Sequence, residues 1–281
     1  MLKADVQRLG DVPETMLITL WARAVETGRP DAILRDPAAV DLLERIDYDF
    51  SRFQGVWMSQ VGVAVRSAIL DRAVKSFLDR RPDAVIVNLG AGLDTRFHRL
   101  GDPRIRLWYD LDLPEAIELR RRLMEETPVN RFIGVSVLDE SWMEQIQDDG
   151  APVLILAEGL LMYFSEPVVR QLFRRLAHRF GGGEMFLETL APFLVGKARH
   201  HDSLRKTEGL AEFRWGPADT RVMETWESGL QVVEEWNYFD YHRDRWRHLR
   251  WVALLPGFRR MLSNRIVHVT LAKEGPIDGE H

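Results

Sequence analysis

The stretch Val85-Ile86-Val87-Asn88-Leu89-Gly90-Ala91-Gly92-Leu93-Asp94-Thr95-Arg96 constrains this chain more than any other, because an apolar run passes directly into a glycine turn and then into charge. Consecutive aliphatic residues without polar alternation read as a buried strand of a parallel sheet. Gly90 and Gly92 then permit a sharp turn and leave backbone with no side chain in front of it. In an open α/β sheet, such a turn at the carboxyl end of a strand is where nucleotide-like ligands bind. A glycine turn that only links strand to helix is the alternative at this point.

From Ala84 onward strand and helix signals alternate, as a βαβ architecture requires. Ile105 to Asp112, Arg131 to Val137, Pro152 to Ala157 and Glu184 to Leu190 are predicted strands. Gln231 to Glu235 and Arg265 to Lys273 form a late pair, expected to be antiparallel. One helix starts at Pro114, and another is capped by Ser165-Glu166-Pro167 and runs to Phe180. Before the sheet, Leu17, Leu20 and Ala24, then Ala39, Leu42, Leu43 and Ile46, recur at helical spacing, with a break at Thr27 to Asp31. A third helix is predicted from Val61 to Asp79. The expected organisation is a single domain: a helical cap over residues 1–83, a core over 84–190, a polar lid or insertion over 191–229, terminal strands over 230–274 and a polar tail over 275–281.

The 281 residues carry a net charge of −5, which gives no global attraction to nucleic acid or to an anionic membrane. Zero cysteines exclude disulfides, thiolate metal sites and a cysteine nucleophile. The first ten residues lack a secretory apolar core, and the longest apolar stretch, Val153 to Phe164, is interrupted by Glu158 and too short to span a bilayer. A cytoplasmic protein with a small-molecule partner and no nucleic-acid or membrane partner is the expectation. No metal is expected either, since His200, His201, His242 and His248 match no zinc spacing.

Set against the dinucleotide fingerprint, the turn supplies Gly90 and Gly92 but has Thr95 in the third glycine position. That third glycine serves pyrophosphate approach and close helix packing, so a cofactor without pyrophosphate has no need of it. S-adenosylmethionine, with a ribose but no phosphate, is such a cofactor. Asp112 lies 20 residues past Gly92, at the end of the second strand, where a carboxylate accepts hydrogen bonds from ribose hydroxyls. A helix cap is its alternative role, and Asp110 shares its face of the strand. Glu158 ends the fourth strand and must find a donor or a cation to offset desolvation. A ligand ammonium, a ribose hydroxyl or a structural salt bridge would each serve.

Three ordered motifs, Asn88 to Arg96, Asp110-Leu111-Asp112-Leu113-Pro114 and Ala157-Glu158-Gly159-Leu160-Leu161-Met162-Tyr163, resemble the leucine carboxyl methyltransferase family, especially its bacterial branch of polyketide-tailoring O-methyltransferases. The resemblance runs from about Val12 to the last strand. It implies a class I S-adenosylmethionine-dependent methyltransferase fold, an α/β Rossmann-like sheet with mixed last strands and an amino-terminal helical extension. It also implies cofactor contacts: the turn Gly90, Ala91 and Gly92 against the ligand, Asp112 on the ribose, Glu158 as the acidic residue after the fourth strand, and Arg66 on the methionine carboxylate. Ser136 and Val137 match the pair that brackets adenine, with serine where many relatives carry aspartate. Arg23 is the candidate for a further basic contact from the first helix.

Methyl transfer needs no covalent enzyme intermediate, only an acceptor oxygen held in line with an activated methyl group. A carboxylate acceptor needs no base, whereas a phenol or enol benefits from one. No catalytic residue is assigned; the four histidines named above favour surface or structural roles. The aromatic residues Phe213, Trp215, Trp226, Trp236, Tyr238, Phe239, Tyr241, Trp246 and Trp251 fill a core or line an acceptor pocket. Arg120-Arg121-Arg122 and the run Arg243 to Arg250 are expected to be solvated helix faces. The expected activity is S-adenosylmethionine-dependent O-methylation of a hydroxyl or carboxyl group on a small, polyketide-like molecule. Its rivals are methylation of a protein carboxyl terminus, cofactor binding without turnover, and nicotinamide-dependent oxidoreduction.

Overall fold

The computed structural model describes residues 4–5, 14–101, 103–197 and 212–271. Seven strands build the main sheet: β1 (Val85–Leu89), β2 (Leu107–Asp112), β3 (Asn130–Gly134), β4 (Val153–Ala157), β5 (Glu184–Thr189), β6 (Gln231–Asn237) and β7 (Arg265–Thr270). Across the sheet they run β3-β2-β1-β4-β5-β7-β6, with β1 to β5 mutually parallel and β7 antiparallel to both neighbours. The α-helices among the described residues are α1 (Glu14–Thr27), α2 (Pro37–Arg45), α3 (Trp57–Arg80), α4 (Arg96–Arg99), α5 (Pro114–Leu123), α6 (Ser141–Glu144), α7 (Glu166–Arg179) and α8 (Pro256–Leu262).

The chain winds outward from β1 to β3, then crosses back to β4 on the other side of β1. Loops leaving β1 and β4 therefore diverge, and a crevice opens at this switch point. The Gly90 to Gly92 turn occupies it.

The apolar run of β1 follows from burial on both faces. Val85, Val87 and Leu89 share one core with Tyr109, Leu111 and Ile155, and with Val169, Leu172, Phe173 and Leu176 of α7. Ile86 shares the opposite core with Trp108, Leu154 and Leu156, and with Val61, Val65, Ile69 and Phe77 of α3. Truncating a fully buried ring such as Phe173 to alanine costs about 3–5 kcal/mol. α3, expected as part of a cap, thus forms one layer of the sheet sandwich. α1 and α2 pack instead on α5, where Met16, Leu17 and Leu20 meet Ile117, Leu119 and Phe132. Asp36 caps α2 by accepting from Ala39 N at 3.1 Å, with Pro37 in the first helical position.

Several expectations are corrected. β3 stops at Gly134, so Ser136 and Val137 lie in the loop beyond it. There the Ser136 carbonyl accepts from Asp139 N at 3.0 Å and turns the chain. The stretch expected as a polar lid or insertion holds a 3-10 segment, Thr220–Thr225, capped by Asp219. Arg120 is no solvated helix residue. It is 1% exposed, donates to Asp110 Oδ2 at 2.7 Å and to Gly92 O at 3.0 Å, and lies over the Phe132 ring. Its position on the inner face of α5, one turn from Ile117 and beside Leu119, puts it there; Arg121 and Arg122 remain exposed. In the run from Arg243, Arg245 is likewise tied inward, bonding both oxygens of Glu26 at 2.8 and 2.9 Å. Residues 198–211 of the expected lid, with His200 and His201, and the tail 275–281 lie outside the described residues. No helix among the described residues is long and apolar enough to cross a membrane.

Candidate functional site

A cavity of about 600 Å³ opens at the switch point, a size within the usual range for small-molecule sites. Arg23, Arg66, Gly90, Ala91, Gly92, Asp112, Ser136, Val137 and Glu158 all line it. Three elements, α1, α3 and β2, and the loops after β1, β3 and β4 thus converge on one space.

The glycine turn is shaped by backbone that other residues adopt at a cost. Gly90 and Gly92 have φ of +66° and +46°. A Cβ on Gly90 would stand 2.9 Å from Leu160 Cδ1, so that glycine also allows the loop after β4 to close on the turn. Asp112 locks the turn from β2: Oδ2 accepts from Gly92 N and Oδ1 from Leu113 N, each at 2.7 Å. Each oxygen keeps a second lone pair, enough to receive a vicinal diol. Burial lifts the Asp112 carboxyl above its ordinary value, against the pull of those two amides.

Asp110 has a different task from its neighbour. Its carboxylate accepts from Asn88 Nδ2, Trp108 Nε1, Arg120 Nη2 and Asn130 Nδ2, all at 2.7 to 3.0 Å, and is 1% exposed. Through Arg120, which also holds the Gly92 carbonyl, it braces the turn from behind.

Glu158 follows β4 and meets two guanidinium groups. Arg66 Nε donates to Oε1 at 2.7 Å, and Arg96 Nη2 donates to Oε2 at 2.5 Å. The salt bridge proposed as one of its roles is therefore present, and both oxygens are engaged. Burial alone would raise this carboxyl, but Arg96 and Arg66 hold it below its ordinary value. Asp94 behaves alike: burial is overcome by Arg96, then Arg99 and Arg23, and the carboxyl sits far down.

Arg66 reaches from the middle of α3, where the absence of a side chain at Gly159 leaves its guanidinium room at 3.5 Å. Besides Glu158 it donates from Nη1 to Glu188 Oε2 at 3.1 Å. Arg23 also lines the cavity but is 3% exposed, with Nε on Asp36 Oδ2 at 2.9 Å and Nη2 on Leu93 O at 2.7 Å. Those bonds tie α1 to the glycine loop. Thr95, standing where a third glycine would be, donates to the same Asp36 oxygen. Ser136 and Val137 form a wall from the loop after β3, with Ser136 Oγ accepting from Leu138 N at 3.3 Å.

Glu188 is the residue that sequence reasoning passed over. Near the carboxyl end of β5 it accepts from Arg66 Nη1, Gly159 N, Tyr238 Oη and Asn264 Nδ2 at 2.8 to 3.1 Å. The signal was available: an acidic side chain within an apolar strand, as at Glu158. Tyr238 and Asn264 carried no such signal, because they come from loops flanking the antiparallel pair.

Away from the turn the wall is apolar, with Met162, Leu190, Leu194 and Phe239 among its residues. Tyr163 and Phe213 face the same space, their ring centroids 5.7 Å apart. Of the other aromatic candidates, Tyr238 and Trp246 also line the cavity, Trp215 and Trp226 belong to the core beneath α7, and Trp251 is exposed. His242 and His248 are exposed and outside the cavity. Burial pushes the Tyr163 phenol up to about 12, and burial with Glu188 holds Tyr238 well above the ordinary phenol value. Among the described residues no histidine or lysine lines the cavity, and no cluster suited to a metal ion is found.

Comparison with known proteins gives the family and the fold. The family pattern of leucine carboxyl methyltransferase matches residues 16–177. The chain is 36% identical over 263 residues to the tetracenomycin polyketide synthesis O-methyltransferase TcmP of Streptomyces glaucescens, covering 93% of this chain and 96% of that one. It is 32% identical to the S-adenosyl-L-methionine-dependent methyltransferase dpfgK of Gibberella zeae, covering 79% and 80%. In three dimensions it resembles a DUF574 family protein of Streptomyces avermitilis, with a TM-score of 0.53 at 15% identity, covering 89% of this chain and 96% of that one. A Thermobifida fusca protein described as a methyltransferase gives the same score at 17% identity, covering 90% and 94%. The sheet with its antiparallel β7 is thus the class I methyltransferase fold, and the chain belongs to the leucine carboxyl methyltransferase family.

Proposed function

We propose that this protein is an S-adenosylmethionine-dependent O-methyltransferase whose acceptor is a small, largely apolar molecule presenting a carboxylate or an acidic hydroxyl. The observation that carries the reading is the pairing of Asp112 with Gly92 at the mouth of β1. It leaves a carboxylate with free lone pairs beside a backbone surface clear of side chains, which suits a ribose. TcmP is named an O-methyltransferase of polyketide synthesis, and dpfgK an S-adenosyl-L-methionine-dependent methyltransferase.

The residues present fit the cofactor. Asp112 would receive the ribose hydroxyls, Ser136 and Val137 would flank the adenine, and Arg66 would meet the methionine carboxylate. Glu158 and Asp94 would lie beside its ammonium. When bound, the cofactor supplies a methyl group already activated on a sulfonium. The chain's own part is to hold the acceptor oxygen in line and to keep water away, work that the apolar wall around Met162, Leu190 and Phe239 can do.

With Asp112 assigned to the ribose, the described wall offers no ready proton acceptor for the acceptor oxygen. Asp94, Glu158 and Glu188 are bound by arginines, and Tyr163 and Tyr238 stay protonated. An acceptor oxygen that ionises by itself at neutral pH is therefore favoured, a carboxylate before an alcohol. The nicotinamide reading loses support from Thr95, whose side chain is buried and tied to Asp36 where a pyrophosphate-binding loop needs glycine.

An isotope-labelled methyl donor, offered with a panel of aromatic acids, phenols, aliphatic alcohols and a peptide carboxyl terminus, tests the reading. Label on aromatic carboxylates is the expected result. Label on none of the panel, with intact donor binding, would contradict it.

A further inference from the structure

Arg23, Asp36, Arg99, Asp71, Arg96, Glu158, Arg66 and Glu188 form one continuous chain in which guanidinium and carboxylate alternate. Asp94 joins as a branch on Arg96. The chain runs from the cap of α2, under the glycine turn, to the end of β5. Among the described residues it contains four arginines and five carboxylates. Asp110 and Arg120, linked to Asp94 through Asn88, add a matched pair and leave the difference unchanged.

The network therefore carries one more negative charge than positive, and it does not lose it by protonation. The carboxyls of Asp36, Asp94 and Glu158 are all held below their ordinary values. Glu188 accepts from four donors, an arrangement that only the ionised form satisfies in full. A buried charge without a counter-ion is costly, and in such surroundings the missing cation is worth more than in water. Asp94, Glu158 and Glu188 line the cavity, so the surplus faces the ligand.

The methyl donor has the complementary charge. It carries a sulfonium, an ammonium and a carboxylate, net +1. The demethylated product is a thioether with no net charge. Transfer forms the O–CH₃ bond and breaks the S–CH₃ bond, with the bonding pair staying on sulfur, so the ligand loses one positive charge while the network keeps its surplus.

Building on the methyltransferase reading, we infer that the unmatched carboxylate in the Asp36 to Glu188 network is a charge filter, selecting the cationic donor over the neutral product and promoting product release. Calorimetric titration of the unmodified protein tests this with three ligands: S-adenosylmethionine, S-adenosylhomocysteine, and sinefungin, which replaces the sulfonium with an ammonium-bearing carbon. The two cationic ligands are expected to bind about tenfold more tightly than the neutral one. S-adenosylhomocysteine binding as tightly as both would overturn the filter while leaving the methyltransferase reading in place. Binding of none would overturn both. In Asp94→Asn, affinity for all three ligands should fall through the ammonium they share, and affinity for the two cations should fall about tenfold further than that for the thioether. A parallel loss for all three would mark Asp94 as a structural support and contradict the inference.

Discussion

Arg66 donates from Nε to Glu158 Oε1 at 2.7 Å, joining α3 to the loop after β4 across 92 residues of sequence. The contact fixes the direction of the guanidinium before a ligand arrives, which lowers the ordering cost of binding. Arg66→Lys retains the charge but cannot bridge Glu158 and Glu188 with the same planar fork. Cofactor affinity in that variant is expected to fall by about tenfold or more, read by calorimetry. Unchanged affinity would remove Arg66 from the binding site.

Asp112→Asn keeps the shape but weakens acceptance from Gly92 N and from a ribose. The expected result is cofactor binding weakened by about 1.5–3 kcal/mol, the range for hydrogen bonds to a charged group, with folding largely intact by circular dichroism. Binding by the unmodified protein should also fade as pH drops through the Asp112 pKa, which burial places above 3.8. A binding curve flat from neutral pH down to 3.8 would contradict the assignment.

Stability should have its own acid limb. The carboxyls of Asp94 and Glu158 are lowered in the folded state, so their contribution is complete above the unfolded values of 3.8 and 4.5 and is lost as pH falls through the folded ones. Urea midpoints are expected to hold from neutral pH to about 5 and then decline. A midpoint that rises on acidification would show that the network destabilises the fold.

Arg120→Met leaves Asp110 buried without its cation, and about 3–5 kcal/mol of stability should be lost. The double variant with Asp110→Asn should recover part of it. Equal losses in single and double variants would show that the ion pair is not the source of the effect.

Gly90→Ala places a Cβ 2.9 Å from Leu160 at φ +66°. A loss of about 1–2 kcal/mol is expected from the left-handed conformation alone. An unchanged melting temperature would mean that the turn relaxes freely and is not pre-shaped for a ligand.

Patterns of short range made the sheet legible. The unbroken apolar runs of β1 and β4 require burial on both faces, and Gly90 with Asp112 marks the crevice whatever the details of the helices. Partners that meet through tertiary structure were not legible. Arg120 looks identical in sequence to Arg121 and Arg122, and only its place on the inner face of α5 makes it a buried counter-ion. Glu158 was visible as a carboxylate needing a donor, but the identity of that donor required α3 and α4 to be positioned. Glu188, Tyr238 and Asn264 come together only because β7 inserts antiparallel beside β5, whereas the sequence suggested only the pairing of β7 with β6. Arg23 was singled out as a candidate ligand contact, and its bonds to Asp36 and Leu93 show it holding α1 against the glycine loop.

The central claim is that the cavity at the β1 turn is a site for S-adenosylmethionine. Calorimetric titration of the purified protein with that cofactor, repeated on Asp112→Asn, tests it most directly. The account predicts saturable binding at a single site, weakened in the variant. No heat of binding at millimolar cofactor to the folded protein would contradict it.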